Sequence, residues 1–262
     1  MHPADPAHSA LRPPLTGAPA WVLFHHAQVE STQALARSLP AWSAVWADEQ
    51  SAGRGQAERS FVSDPGGVYL TAVLPYDGDA LAARGFALAV GWALCAALRR
   101  AGVTQVRLRW PNDLMVGLAK VGGILVEQGG PNTVLVGVGL NVTNRPWMSD
   151  PALYGQAGRL ADYVAAPGLP ERALLVTALL RAIRLAQRMF GRRRLAGLVP
   201  LLTRCWGEPR KVVLEPAGGV TLAVRGGVFQ GLDSLGAVRV RTAHGDEARV
   251  PPHHIHRLRE VS

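Results

Sequence analysis

Lysine is nearly missing from this 262-residue chain. Of its 28 basic residues only Lys120 and Lys211 are lysines, and the rest are arginines. Cysteine is as scarce: Cys95 and Cys205 are too few and too far apart in sequence for a metal knuckle or a disulfide framework. A reducing, cytoplasmic setting is therefore expected. No apolar run is long enough to cross a bilayer, since the longest, Phe86 to Leu98, has the length of a buried helix. Nor is a secretory leader expected: Met1 to Pro19 is rich in proline and alanine but has no hydrophobic stretch, and reads as a mobile tail. The length suits one large domain, or a large and a small one.

The net charge of +9 raises the question of nucleic acid. Arginine is scattered rather than clustered, and the one run, Arg192-Arg193-Arg194, reads as a solvated helix end. A basic surface of this kind steers anionic nucleotides or an acidic protein partner.

Periodicity sets the organisation. Ser31 to Leu39 predicts a short helix capped by Ser31 or Thr32. Ala44 to Asp48 and Gly67 to Leu74 predict strands, and Leu81 to Ala101 a long buried helix ended by Gly102. Four strand-like runs follow, Val106–Trp110, Leu114–Val116, Val121–Gln128 and Thr133–Val142, whose short connections predict an antiparallel meander. Glu171 to Phe190 predicts an amphipathic helix with Leu174, Leu175, Ala178, Leu179, Ile183 and Ala186 on its apolar face. After Trp206 come brief β-rich runs, Lys211–Glu215, Val220–Val224 and Val238–Thr242, separated by glycine turns as in a small β-barrel.

Two segments carry chemistry. Gln50 to Arg59 alternates glycine with polar and basic residues, so its backbone amides can turn onto an anion, with Arg54 and Arg59 as charged donors. It matches neither the G-x-x-x-x-G-K-[ST] phosphate loop nor a G-x-G-x-x-G fingerprint, which argues against kinase and Rossmann readings. A flexible surface loop has the same composition. The second segment is Arg107 to Glu127. It sets Asn112 and Asp113 at a turn after Trp110-Pro111, and the rare Lys120 beside Gly122-Gly123. A compact ammonium grips a carboxylate or phosphate where the guanidinium fork does not fit. Asn112-Asp113 is also ordinary turn chemistry; functionally, Asp113 would help hold Mg²⁺ against nucleotide phosphates. The glycines of Gly137-Val138-Gly139-Leu140-Asn141 lie inside a strand, where a ligand or another backbone comes close. His253-His254-x-His256 resembles a metal cluster only superficially: on a strand His254 and His256 share a face, but no third ligand is evident.

Taken in order, Glu30-Ser31-Thr32, the Gln50-x-Ala-Gly-Arg-Gly loop, Ser63-Asp64-Pro65-Gly66-Gly67, Arg109-Trp110-Pro111-Asn112-Asp113, Lys120-Val121-Gly122-Gly123-Ile124-Leu125-Val126-Glu127 and Gly137-Val138-Gly139-Leu140-Asn141-Val142 resemble the biotin–protein ligase family. The resemblance covers about residues 22 to 145, and extends more loosely to the C-terminus. It implies an α+β fold, a mixed sheet with packed helices over residues 20–205, followed by a small SH3-like β-barrel over 206–262 after the tail of 1–19. It implies ATP-dependent attachment of biotin, through biotinyl-5′-AMP, to a lysine of a biotin carboxyl carrier domain, with ATP and Mg²⁺ required.

By the same resemblance Lys120 and Arg54 are catalytic. Ser31, Thr32, Gln33, Gln50, Arg54, Gly55, Gln56, Lys120, Gly122 and Gly123 bind biotin. Arg54, Arg59, Phe61, Asn112, Asp113, Lys120 and Asn141 serve the nucleotide, with Phe61 where the family often has tryptophan and Asp113 on the magnesium side. Gln56 departs from the family's usual G-R-G-R loop. About twenty residues precede the catalytic segment, too few for the winged helix of bifunctional members, so DNA binding is not expected; a homodimer is possible. Two other readings stay open: a lipoate ligase or octanoyltransferase of the same fold, and a non-catalytic binder of biotinyl-AMP.

Overall fold

A computed structural model describes residues 8–10, 19–56, 59–76, 80–165 and 168–261. Its larger part is an eight-stranded mixed sheet in the order β1-β2-β3-β4-β8-β7-β6-β5. The strands are β1 (His8–Ala10), β2 (Val22–Val29), β3 (Ser43–Gln50), β4 (Val68–Pro75), β5 (Arg107–Arg109), β6 (Asp113–Val116), β7 (Ala119–Gln128) and β8 (Thr133–Leu140). Only the β2–β3 pair is parallel; it is crossed by the short helix α1 (Thr32–Ala36). β5 to β8 form the meander that the spacing predicts. The segment expected as a tail contributes β1, paired with β2, and its other residues up to 18 lie outside the described ones.

Strand alternation gives the sheet two different faces. Leu70, Ala72 and Leu74 of β4, with Val134, Val136 and Val138 of β8, pack under α2 (Ala80–Arg100) and α3 (Arg172–Trp206). Phe86, Leu94, Leu98, Leu175, Leu179 and Ile183 fill that layer, whereas Leu174, expected on the same face, is exposed. Residues of the other parity, Tyr69 and Thr71 on β4 and Gly137 and Gly139 on β8, look away from the helices. A small second core of Ala36, Val45, Val73 and Leu135 lies beneath α1 on that side.

Helix α3 continues well past Phe190, where the apolar pattern suggested its end. It breaks at Arg194, whose φ of 52° and ψ of −175° interrupt the helix, and a second arm runs on to Trp206 through Pro200. The basic run thus marks the break, and Leu198, Leu202 and Cys205 bury the second arm.

The C-terminal part is a five-stranded antiparallel sheet, β12-β11-β10-β9-β13, consistent with an SH3-like domain. Its strands are β9 (Lys211–Pro216), β10 (Gly226–Leu232), β11 (Val238–Arg241), β12 (Glu247–Val250) and β13 (Ile255–Glu260). The strand expected at Val220–Val224 is not formed; the chain is irregular there, and β10 begins at Gly226 instead. His254 likewise sits in a 3-10 turn ahead of β13, so it shares no strand face with His256. Among the described residues no group of three His, Cys, Asp or Glu could hold a metal ion, and no helix is long and apolar enough to cross a membrane.

Candidate active site

The outward face of β4, β7 and β8 is the floor of a cleft of about 530 Å³. Its walls are the 50–61 loop, the 109–113 turn, the 153–157 segment and β13. Glycine keeps the floor low. A Cβ at Gly137 would lie 2.8 Å from Gln33 Oε1, and one at Gly139 would lie 2.7 Å from the Phe61 ring. Gly139→Ala is accordingly expected to cost about 1–3 kcal/mol by overpacking. A lowered denaturation midpoint reads this out; an unchanged one would show that the Phe61 ring swings aside freely.

One end of the cleft is polar and buried. Ser31 caps α1 by accepting from the Ala34 amide at 3.4 Å. The Thr32 amide and hydroxyl both donate to Gln50 Oε1, at 2.8 and 3.0 Å, and Gln50 Nε2 donates to Ser63 Oγ at 2.9 Å. Thr71 Oγ1 donates to Gln33 Oε1 at 3.0 Å and lies 2.9 Å from the Thr32 hydroxyl. These side chains fix one another, which is how a buried polar cluster holds a single arrangement. One member is incomplete: Gln33 Nε2 is buried and has no hydrogen-bond partner. A buried amide donor without an acceptor is costly, and a ligand carbonyl at this point would satisfy it.

The other end is charged. Lys120 Nζ lies 2.6 Å from Asp113 Oδ1, while Arg109 donates to Asp113 Oδ2 through Nη2 at 2.6 Å and Nε at 3.2 Å. Burial pushes the Asp113 carboxyl up, but the Lys120 ammonium and the Arg109 guanidinium outweigh it and hold the group below the usual carboxylate range. A register shift in the β6–β7 pairing, from Leu114↔Gly122 to Met115↔Lys120, adds one residue to β7. Lys120 and Gly123 thereby both line the cleft although they stand three positions apart, which simple alternation would put on opposite faces. The backbone of Lys120 is clamped to the 156–158 segment, its amide donating to Gln156 O at 2.8 Å and its carbonyl accepting from Gly158 N at 2.9 Å. Phe61 packs beside it, its ring centroid 6.0 Å from Nζ.

The glycine-alternating loop closes as a hairpin over the cleft. Phe61 N donates to Gly53 O at 2.8 Å, Gly55 N to Arg59 O at 2.7 Å, and Arg59 Nε to Gln56 O at 3.2 Å. Ala57 and Glu58 lie outside the described residues. Arg54, Gly55, Gln56 and Arg59 all line the cleft. At the turn, where the Trp110–Pro111 peptide is cis, Asn112 Nδ2 donates to Ile124 O at 2.6 Å and the Ile124 amide donates back to Asn112 O at 3.0 Å. Asn112 lines the cleft, yet its side-chain amide is occupied in pinning the turn to β7.

Two residues expected to bind ligand are not in the cleft lining. Gly122 faces the other way, and a Cβ there would lie 2.5 Å from Leu140 Cδ2. Asn141 lies beyond the end of β8; its amide donates to Gly158 O at 3.0 Å and its oxygen accepts from Asn144 at 3.2 Å. Asp113 does not suit the role of magnesium ligand either, because cations already face both its oxygens. Sequence reading missed Thr71, Arg109 and Gln156, and the whole β13 wall from His256 to Glu260. The alternation of Ile255-His256-Arg257-Leu258-Arg259 marks a strand, but nothing local places it against the cleft.

The family model for the biotin/lipoate A/B protein ligase family matches residues 26–142. The bifunctional ligase/repressor BirA of Escherichia coli is 31% identical over 218 residues, which is 76% of this chain and 62% of the relative. The biotin–[acetyl-CoA-carboxylase] ligase of Paracoccus denitrificans is 38% identical over 130 residues, 46% of this chain and 54% of the relative. The chain thus spans less than two thirds of these relatives' lengths. Among solved structures, the biotin protein ligase of Aquifex aeolicus in complex with biotin and ATP superposes with a TM-score of 0.75 at 23% identity. It covers 91% of this chain and 99% of that one, and shows that the fold is shared. Residues 26–142, which supply most of the cleft, are thus the part of the chain that is similar to the biotin/lipoate A/B protein ligase family.

Proposed function

We propose that the protein activates biotin with ATP and transfers it to a lysine of a biotin carboxyl carrier domain. The observation that carries this reading is the pairing of the two cleft ends. Thr32, Gln33, Gln50 and Thr71 offer buried hydrogen-bonding groups, with Gln33 Nε2 unsatisfied, and Lys120 supplies a cation at the other end. A cyclic urea has a carbonyl and two N–H groups to meet such a floor, and its valerate tail carries the carboxylate toward the charge. The dithiolane of lipoate has nothing to give an unpaired amide, which favours biotin over the lipoate reading within the same family.

In the first step a carboxylate oxygen of biotin attacks the α-phosphorus of ATP. The bond from that phosphorus to the bridging oxygen breaks and pyrophosphate leaves. Lys120 would offset the charge of the two anions as they meet, and the 50–61 loop with Arg54 and Arg59 would close over the adenylate. In the second step the neutral amine of the carrier lysine attacks the acyl carbon, AMP departs with the acyl–oxygen electron pair, and the amine proton is lost to solvent. The donor set around Asp113 does not fit a resident magnesium ion, so no step is routed through one.

Incubation with ATP, magnesium, labelled biotin and a carrier domain is expected to place one label on the carrier lysine. Preferential incorporation of lipoate, or binding of biotin and ATP without pyrophosphate release, would overturn the assignment. Gln56 borders the cleft without a charge. A hydrogen bond to a charged group contributes about 1.5–3 kcal/mol against about 1 for a neutral one. Gln56→Arg is therefore expected to slow dissociation of preformed biotinyl-AMP by roughly tenfold. An equal dissociation rate would show that this side chain does not face the intermediate.

A further inference from the structure

The Arg109–Asp113–Lys120 cluster poses a problem for a mobile cation. Asp113 is only 15% exposed, and Lys120, at 37%, is held to it at 2.6 Å. To meet an incoming anion the ammonium must leave this carboxylate. A buried carboxylate that loses its sole partner is strongly destabilised, so a simple Lys–Asp pair would resist opening. Here the carboxylate is shared. Arg109 reaches Asp113 Oδ2 through two nitrogens while Lys120 holds Oδ1. Arg109 approaches from β5, on the opposite side of β6 from β7, which carries Lys120.

We propose that Arg109 is a positioning residue that acts as the spare counter-ion of Asp113, so that Lys120 can move from Asp113 to the anionic substrate without leaving a buried charge unpaired. Asp113 is then the parking place of Lys120 rather than a metal ligand. The cluster has two cations and one anion, so one positive charge is left to attract the substrate, and a guanidinium fork keeps the carboxylate satisfied after the exchange. The inference rests on the adenylating reading for its kinetic consequence, but its structural content stands without it.

The scarcity of lysine makes the test direct. Brief acetylation of the intact protein with acetic anhydride, followed by peptide mass spectrometry, reports Lys120 against Lys211 as an internal standard. Lys211 is exposed at the start of β9, on the C-terminal sheet rather than the one that carries the cluster. In Arg109→Ala, Asp113 keeps Lys120 as its one cation, and the Lys120:Lys211 ratio should fall by about threefold or more, an ordinary coupling for contacting charges. Pyrophosphate release with biotin and ATP should slow by about tenfold, with the change in kcat rather than in the KM for biotin. Adding Asp113→Asn to Arg109→Ala should restore both readouts toward wild type, because nothing then pins the ammonium; a merely structural defect would deepen instead. Arg109→Lys retains a second cation and should keep the ratio near wild type, which covers the case in which the alanine variant folds poorly. An unchanged ratio in Arg109→Ala, or a double variant as impaired as the single one, overturns the proposal. Absence of pyrophosphate release by the wild-type protein would overturn the adenylation reading instead, while the labelling ratios still decide the role of Arg109.

Discussion

On the proposed adenylation of biotin, Lys120→Ala is expected to remove most of the rate while leaving the fold intact. The barrier should rise by roughly 3 kcal/mol or more, the loss typical of one preorganised electrostatic donor. The fold should survive because Asp113 keeps both of its contacts to Arg109, at 2.6 and 3.2 Å, so no buried carboxylate is stranded. Lys120→Arg should also perform poorly. Phe61 and Gly123 lie beside a compact ammonium, and a planar fork would carry its charge to a different point. The measurements are pyrophosphate release in a single turnover and the thermal midpoint. Near-normal release in the alanine variant would remove Lys120 from the chemistry, whatever its place in the cleft.

Glu260→Ala is expected to destabilise the protein by about 3–5 kcal/mol, because it leaves Arg107 as an unpaired buried cation. Arg107 Nη1 lies 2.6 Å from Glu260 Oε1, and the two side chains are 6% and 8% exposed. The remaining acceptor of the guanidinium would be Gly117 O, at 2.6 Å, and Arg107 Nε already lacks a partner. The pair fastens β13 to β5, and so holds one wall of the cleft to the strand that also carries Arg109. Replacing both residues with apolar ones of similar volume should cost far less than either single change, since it removes the charges together. Denaturant melts of the single and double variants decide this. A single variant within about 1 °C of wild type would show that water reaches and solvates Arg107.

The sequence by itself determined what local rules govern. The apolar spacing in Phe86–Leu98 and in Leu175–Ile183 marks helices that must be buried, and both pack on one face of the sheet. Short connections from β5 to β8 dictate antiparallel neighbours. The ordered motifs at Ser31, Gln50–Gly55, Asn112–Asp113 and Lys120–Gly123 place Ser31, Gln50, Arg54, Asn112, Asp113 and Lys120 among the side chains that line the cleft.

What the sequence did not determine depends on how separate strands pair and pack. The β-bulge that turns Lys120 and Gly123 to the same face arises from pairing across β6 and β7, and side-chain alternation in either strand alone does not reveal it. The use of Asn141 to hold Gly158, and of Gly122 to let β7 lie close against Leu140, appears only once the strands are in register. β13 became a cleft wall because a buried ion pair spans 153 residues of sequence. Asp113, read locally as a turn residue or a magnesium ligand, is surrounded by two cations that the fold brings from different strands. Charge at a site is a sum over spatial neighbours, and only tertiary structure says which neighbours those are.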